Sequence, residues 1–229
     1  MLYSLLTLAS LLSIGHCLPT QPSASTPTLP LNAVANTGPS PLPSPTGTLK
    51  YIALQLGTQN YTCNATTGKY SATGALAQIF DATHYLTMHP NEIASLPQTY
   101  LDLYEMQQCA STRSANVKHD GSCEARANKK FSHPLKALGV HYFTSAGTPT
   151  FDLSQAPGHP FLYAAKKADV PAPSTDDIDW LFLASNGSAS NRIITSVYRI
   201  ETAGGLAPTA CSGTGSITVP YAAEYWYYL

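Results

Sequence analysis

The sequence is poor in charged side chains, and this scarcity excludes two classes of protein. Its 229 residues include 12 Lys and Arg and 13 Asp and Glu, or 11% charged residues, against about 25% in an average globular protein. With a net charge of -1, the chain has no excess of cations to displace the counterions of a phosphate backbone, so nucleic acid is excluded as a partner. Its 14 Tyr residues also argue against a charge-driven disordered chain.

Long hydrophobic runs are missing as well. The apolar, uncharged segment 2–14 would span only about 20 Å as a helix, short of the roughly 30 Å core of a bilayer. Gly15, His16 and Cys17 follow it, and this layout predicts that residues 1–17 are a secretory signal peptide. A bacterial lipobox at Cys17 is the alternative, which His16 disfavours. No later run reaches 18 residues, so we expect a secreted protein, extracellular or in the cell wall, without an integral membrane segment.

The segment 18–47 has the composition of a stalk. It contains eight Pro and nine Ser or Thr, and the first charged residue of the chain is Lys50. Pro removes backbone donors and fixes the backbone angle, so the segment is predicted to be extended, either as a plain disordered tether or as an O-glycosylated stalk. Residues 48–229 are predicted to form a single β-rich domain.

The cysteine count agrees with export. Removal of the signal peptide leaves four cysteines, which allow three pairings: Cys63, Cys109, Cys123 and Cys211. We favour Cys109–Cys123, which closes a local ring, and Cys63–Cys211, which ties the start of the domain to its end. No Cys-x-x-Cys or Cys-x-x-His spacing occurs, so no metal site is expected. Three sequons, at Asn60, Asn64 and Asn186, predict a glycoprotein.

Alternating apolar residues predict strands through most of the domain. The candidate strands are 49–54, 59–63, 75–80, 140–144, 161–165, 180–184, 193–200 and 219–228, separated by Pro- and Gly-rich breaks. This pattern favours a mainly β fold, an antiparallel β-sandwich or a jelly-roll-like barrel. One short helix is predicted, with Asn91 as the cap of a run from Glu92 to Met106. Pro97 lies inside this run and would either kink the helix or delay its start to about Leu96.

The only charge-rich segment lies within a predicted insertion at about 92–136. Residues 113–136 contain six Lys or Arg, two acidic residues and two His. One interpretation is a patch for an anionic partner such as acidic polysaccharide. The other is a solvated loop stapled by Cys109–Cys123, which we favour.

Motifs for common chemistries are absent. The only near match to a dinucleotide-binding loop, Gly213-Thr214-Gly215, lacks its third glycine and the crossover unit that would follow, so no cofactor is expected. No nucleophile elbow, Walker loop or His-Glu-x-x-His motif occurs either. His84 and His89 are five residues apart, which is a poor spacing for metal binding on one helical face.

A few titratable residues are weak candidates for catalysis: His141, Asp152 and Glu224. A carboxyl among aromatic rings would have a raised pKa and could act as a general acid, and two carboxyls could hydrolyse a glycoside. The aromatic run around Glu224, Tyr221 to Tyr228, could stack on sugar rings. A closing strand with aromatic side chains on both faces is the commoner explanation of such a run.

Several motifs in a fixed order resemble a known family. They are Gly57-Thr58-Gln59-Asn60-Tyr61-Thr62-Cys63, His141-Tyr142-Phe143 with Thr148-Pro149-Thr150-Phe151, Asp179-Trp180-Leu181, Val197-Tyr198-Arg199-Ile200 with Thr202-Ala203-Gly204-Gly205, and Val219-Pro220-Tyr221 with Glu224-Tyr225-Trp226-Tyr227. Over about residues 42–229 the chain resembles a domain-of-unknown-function family of secreted fungal and exported bacterial proteins. The resemblance implies no catalytic residues. Fungal members of the family often carry the label "malate dehydrogenase", and the missing cofactor-binding loop argues against this activity.

These observations favour a secreted glycoprotein that acts as a binding module at the cell wall or a host surface, with polysaccharide as a candidate partner. An extracellular hydrolase that uses Asp, Glu and His in a cleft is the first alternative. A secreted effector is the second. The sequence leaves the oligomeric state open.

Overall fold

Eight antiparallel strands close into a barrel in the computed structural model, which describes residues 26–31, 40–107, 121–188 and 193–229. Consecutive strands pair in chain order, and the pairing of the first strand with the last closes the wall. The strands are β1 (Leu49–Asn64), β2 (Lys69–Asp81), β3 (Lys136–Phe143), β4 (Pro149–Asp152), β5 (Phe161–Val170), β6 (Trp180–Ser185), β7 (Ser196–Gly204) and β8 (Ser216–Tyr228). The mainly β prediction is confirmed, and the architecture is a barrel of sequentially paired strands rather than a sandwich.

Helices occupy the connection between β2 and β3. They are α1 (Thr83–Met88), a short 3-10 helix (Pro90–Glu92), α2 (Leu96–Met106) and α3 (Ser122–Lys130). The prediction for α2 is confirmed, but the expectation of a single helix was wrong. The six residues of α1 are too few to show a helical period, and α3 has few apolar residues to mark one. No helix in the described part of the chain is long and apolar enough to cross a bilayer.

One hydrophobic core fills the inside of the barrel. Alternate residues of β8 point inward, and Tyr221, Ala223, Tyr225 and Tyr227 are all buried there. Small residues on β1 and β2 leave space for these rings. At Gly57, for example, a Cβ atom would clash with the backbone of Ala77. We call this core the inner layer.

A second core lies between the outside of the barrel and α2, and we call it the outer layer. The other residues of β8, including Trp226 and Tyr228, belong to it. Helix α2 packs on β7, β8 and β1, and its Tyr100 and Leu101 are buried in this layer. Every second residue of one strand therefore serves a different core.

The N-terminal segment contacts the outer layer. Leu42 is buried, Leu29 and Leu31 pack against the same cluster, and the hydroxyl of Tyr198 donates a hydrogen bond of 3.0 Å to the carbonyl of Pro43. These residues fall within the stalk predicted from composition, and their contact with the barrel was not anticipated. The predicted signal peptide, residues 1–17, lies outside the described residues.

A disulfide fastens the upper end of the barrel, the end at which β1 finishes and β2 begins. Cys63 at the end of β1 is bonded to Cys211 in the loop before β8, with a Cα–Cα distance of 5.8 Å. This confirms the predicted long-range pairing. Cys123 is also disulfide-bonded, and its predicted partner, Cys109, lies outside the described residues.

Candidate functional site

A cleft of about 330 Å³ lies at the lower end of the barrel, where β2 finishes and β3 begins. Its walls come from α1, the residues that follow α1, and the segment 133–136 that leads into β3. Pockets of this size, with some polar groups among rings, are the usual places for small ligands in proteins. We call this feature the ring cleft.

The start of α1 fixes one wall of the ring cleft. The side chain of Asp81 accepts a hydrogen bond of 2.9 Å from the backbone N–H of Thr83, which turns the chain out of β2. The hydroxyl of Thr83 in turn accepts a bond of 3.0 Å from the backbone N–H of Ile52 on β1. These bonds hold α1 against the barrel wall, and the cleft side chains His84, Tyr85 and Met88 project from it.

Four rings cluster at the cleft. The ring of Tyr85 lies 4.6 Å from that of His89, 5.6 Å from that of His133 and 5.2 Å from that of Phe131, measured between centroids. Phe131 is buried and anchors the group, while His89 and His133 are exposed. The side chain of His89 is 43% exposed, so its imidazole is open to a ligand.

A carboxylate orients the central tyrosine. The hydroxyl of Tyr85 donates a hydrogen bond to Glu92. Desolvation, together with the bond to this carboxylate and its charge, raises the pKa of Tyr85 to about 12, so the phenol stays neutral. Glu92 also lies 3.9 Å from Nδ1 of His89. The cleft is thus lined by rings together with Asp81 and Lys136, and Glu92 lies behind two of the rings through its contacts with Tyr85 and His89.

The histidines noted in the sequence, His84 and His89, both line this cleft. His89 follows the end of α1 and does not share a helical face with His84. The helical spacing of the two residues therefore did not indicate their distance in space. No group of three His, Cys, Asp or Glu suited to a metal ion occurs among the described residues.

The three weak catalytic candidates do not share a face. His141 points into the barrel, where its ring stacks on Phe151 at 4.3 Å between centroids. Asp152 follows Phe151 on β4 and so faces the other side of the wall, and its carboxylate accepts a bond from the backbone N–H of Ser154 in the turn. Glu224 lies in the outer layer on β8, between Leu54 and Ile200 on the neighbouring strands. The wall of the barrel separates His141 from both carboxyls.

Glu224 is a fully buried carboxyl. The indole N–H of Trp226 donates a hydrogen bond of 2.8 Å to its Oε2, and its Oε1 has no partner among the described residues. Burial raises the pKa of Glu224 well above its usual value, against the opposing effect of the indole bond, and the charge of Glu201 raises it further. Burial also raises the pKa of Glu201 to about 7. Surroundings of this kind keep the Glu224 carboxyl protonated, as in a structural rather than a catalytic position.

The C-terminal aromatic run cannot stack on sugars, because every residue from Tyr221 to Tyr228 is buried. The closing-strand interpretation of this run is therefore the correct one. Of the three sequon asparagines, Asn64 and Asn186 are exposed, while Asn60 lies within β1 and is partly buried.

The basic insertion is partly helical. Asn128 of α3 accepts hydrogen bonds of 2.8 Å from the hydroxyl of Tyr100 on α2 and from the backbone N–H of Leu135, and it donates one to the carbonyl of Leu135. Residues 121–136 are therefore docked on the fold. Residues 108–120, which include Arg113 and Lys118, lie outside the described residues.

The fold and the ring cleft define a closed, eight-stranded β-barrel protein with a helical insertion and a ligand-sized cleft. The sequence matches the family described as "protein of unknown function (DUF3455)" over residues 43–229, which is most of the chain. The protein belongs to this family. No curated protein and no solved structure matches it.

Sequence reasoning missed Tyr85 and His133 of the cleft. Tyr85 lies in a helix too short to show a period, and His133 was seen only as part of the charged segment. The two are 48 positions apart, and the return of the chain to β3 brings them together. The available signal was the presence of histidines just before the insertion and within it.

Proposed function

We propose that the protein is an extracellular binding module that holds a small carbohydrate in the ring cleft. The observation that carries this proposal is the cluster of Tyr85, His89 and His133 around a cleft that the carboxylate of Asp81 and the ammonium group of Lys136 also line. The C–H faces of a sugar pack on rings, and its hydroxyls need hydrogen-bond donors and acceptors close by.

The polar groups of the cleft match such a ligand. Glu92 offers a carboxylate beside the rings, and its side chain is 43% exposed. Asp81 and Lys136, which face each other across β2 and β3, offer an acceptor and a donor at the cleft edge. Because both signs of charge are present, a neutral, hydroxyl-rich ligand fits better than a strongly charged one.

An extracellular location is part of the proposal. The bond between Cys63 and Cys211 is compatible with an oxidising compartment, and two of the three sequons are on exposed turns. The cell wall or a host surface would supply the carbohydrate. The hydrolase alternative has less support, because the wall of the barrel separates His141 from Asp152 and Glu224.

The test is a glycan array probed with the full-length secreted protein, followed by titration of the best small sugar by NMR. We expect retention on at least one glycan and chemical-shift changes confined to the ring cleft. The variants His89→Asn and His133→Asn should each weaken binding about tenfold, since each removes a ring and leaves an amide.

His159→Asn is the matched control. His159 lies in the loop between β4 and β5, outside the cleft, and its backbone has a φ of +45°, which Asn tolerates. This variant should bind like the wild type. No retention on any glycan would reject the carbohydrate ligand, and unchanged binding by both cleft variants would reject the site.

A further inference from the structure

A second, smaller cavity opens at the upper end of the barrel interior. Its volume is about 40 Å³, and its polar lining consists of Gln59, His141, Arg199 and Tyr225 among apolar side chains. Measured as space for the centres of water-sized spheres, one water needs about 10–15 Å³, so the cavity suits two or three waters or a ligand of a few heavy atoms. It lies at the opposite end of the barrel from the ring cleft and is separate from it.

Arg199 brings a positive charge to this cavity. It projects from the inward side of β7, and its Nε and one Nη donate hydrogen bonds of 3.0 and 2.8 Å to the backbone carbonyl of Asp179. It forms no ion pair with a carboxylate in the described part of the chain. A guanidinium has five N–H donors, so the edge formed by its two terminal nitrogens retains donors for a ligand.

His141 supplies the second polar group of the cavity. It is only 3% exposed, and its Nδ1 lies 2.8 Å from the carbonyl of Thr150, which can only accept. Nδ1 therefore carries the proton in the neutral ring, and Nε2 presents a lone pair. No hydrogen bond to Nε2 occurs among the described residues, so this acceptor and the half-buried guanidinium of Arg199 line the same small space.

We propose that this cavity binds a small monocarboxylate, whose oxygens accept hydrogen bonds from the terminal nitrogens of Arg199 while Nε2 of His141 takes one proton from solvent. The planar guanidinium matches the two oxygens of a carboxylate. The volume limits the ligand to the size of formate or acetate, and the apolar lining, which includes Phe143 and Leu183, accommodates a methyl group.

The coupling to a proton follows from the surroundings of His141. Burial lowers the pKa of its imidazole to about 4, against the opposing effect of the Thr150 carbonyl, and the charge of Arg199 lowers it further. Arg199 on β7 and Tyr225 on β8 are the titratable groups that share the cavity with it; β1, β2, β3, β4 and β6 contribute only amide or apolar side chains beside it. An anion beside the ring would offset both burial and the arginine charge, so His141 would gain a proton as the ligand binds.

The experiment is calorimetric titration of the full-length protein with sodium acetate, and with acetamide as the neutral isostere, between pH 7.5 and 5.5. We expect acetate to bind and acetamide to show no heat. Acetate affinity should increase as the pH falls, by up to tenfold for each pH unit. Titration in two buffers of different ionisation enthalpy should report proton uptake. Equal binding of acetamide, or no proton uptake, would overturn the proposal.

Two further experiments test where the ligand binds and how large it can be. Arg199→Gln should weaken acetate binding at least tenfold, whereas Lys167→Gln, an equal change of charge at an exposed position on β5, should leave it unchanged. An unchanged affinity of Arg199→Gln would also overturn the proposal. Glucuronate, whose ring exceeds the cavity, should bind at least tenfold more weakly than acetate, and equal binding would contradict the assignment of a small ligand. The acetate and acetamide titrations of the wild type decide the matter even if Arg199→Gln does not fold.

Discussion

The inner and outer layers of the barrel differ in how far their buried polar groups are hydrogen-bonded, although the same strand, β8, contributes to both. In the inner layer the amide of Gln55 donates a bond of 2.8 Å to the hydroxyl of Tyr227, and His141 is bonded to the carbonyl of Thr150. In the outer layer Oε1 of Glu224 and Nε1 of Trp180 have no partner among the described residues.

The difference follows from what covers each face. Closure of the barrel places the first and last strands side by side, so Gln55 on β1 and Tyr227 on β8 meet along the inner face of the wall. On the outside, α2 and the N-terminal segment bring mainly apolar side chains, for example Leu101 and Leu42. A buried carboxyl there avoids an unpaired charge by keeping its proton.

The largest effect should come from removing bulk from the outer layer. Trp226 is fully buried, so Trp226→Ala is expected to cost about 3–5 kcal/mol in the free energy of unfolding, measured with denaturant. Trp226→Phe keeps most of the ring and should cost distinctly less. A loss of less than about 1 kcal/mol for the alanine variant would show that the layer contributes little to stability.

The inner layer should lose stability in acid because of His141. Its folded pKa of about 4 lies below the usual 6.5, so between these values the unfolded chain binds the proton and the folded chain does not. This group should therefore lower stability by about 2 kcal/mol from pH 7 to pH 5. His141→Gln should remove this loss, which denaturant titrations at both pH values would reveal. If His141→Gln lost as much stability as the wild type between pH 7 and pH 5, the burial of a neutral imidazole would be contradicted.

The outer layer should show the opposite pH dependence because of Glu224. Its folded pKa is raised, so as the pH rises above about 4.5 the unfolded chain releases a proton that the folded chain keeps, and stability falls. In Glu224→Gln neither state ionises at this position. Relative to wild type, the variant should become more stable as the pH rises from 4.5 to 7, because only the wild type loses stability through this carboxyl. If the stabilities of Glu224→Gln and the wild type changed with pH in parallel, a protonated Glu224 would be refuted.

The smallest effect should come from one hydrogen bond of the inner layer. Tyr227→Phe leaves the amide of Gln55 without this acceptor at nearly constant volume, which should cost about 1 kcal/mol. Tyr228→Phe, on the outer face of the same strand, is the matched control. Equal stability of Tyr227→Phe and wild type would mean that the polar inner layer does not depend on this bond.

Much of the fold could be predicted from the sequence. Alternation located most of the strands, and the cysteine positions indicated the bond between Cys63 and Cys211. The start of α2 at Leu96 is the later of the two that Pro97 left open. Strand β4, only four residues long, was missed, because so short a segment carries little period. A barrel was one of the two predicted architectures, but its closure by the pairing of β1 with β8 was not predicted, because these are the most distant strands in the sequence.

The two candidate sites were less accessible to sequence reasoning. The ring cleft joins Tyr85 to His133, and the cavity at the upper end joins His141 to Arg199, each across a long separation in the chain. Such contacts leave no local pattern, since helical and strand periods report only near neighbours. Glu224 shows the same limit of local patterns. Its aromatic neighbours indicated unusual surroundings for a carboxyl, but they did not indicate which face of the barrel wall it occupies.

The sequence by itself determined the low charge, the β-rich character and the cysteine positions that allow a long-range staple. Tertiary structure alone decided which aromatic residues are buried, that two separate cores share β8, and where ring, carboxylate and guanidinium groups meet. The physical reason is that composition and periodicity act locally. The closure of the barrel instead sets one inward and one outward environment for alternate residues, and neither exists until the last strand pairs with the first.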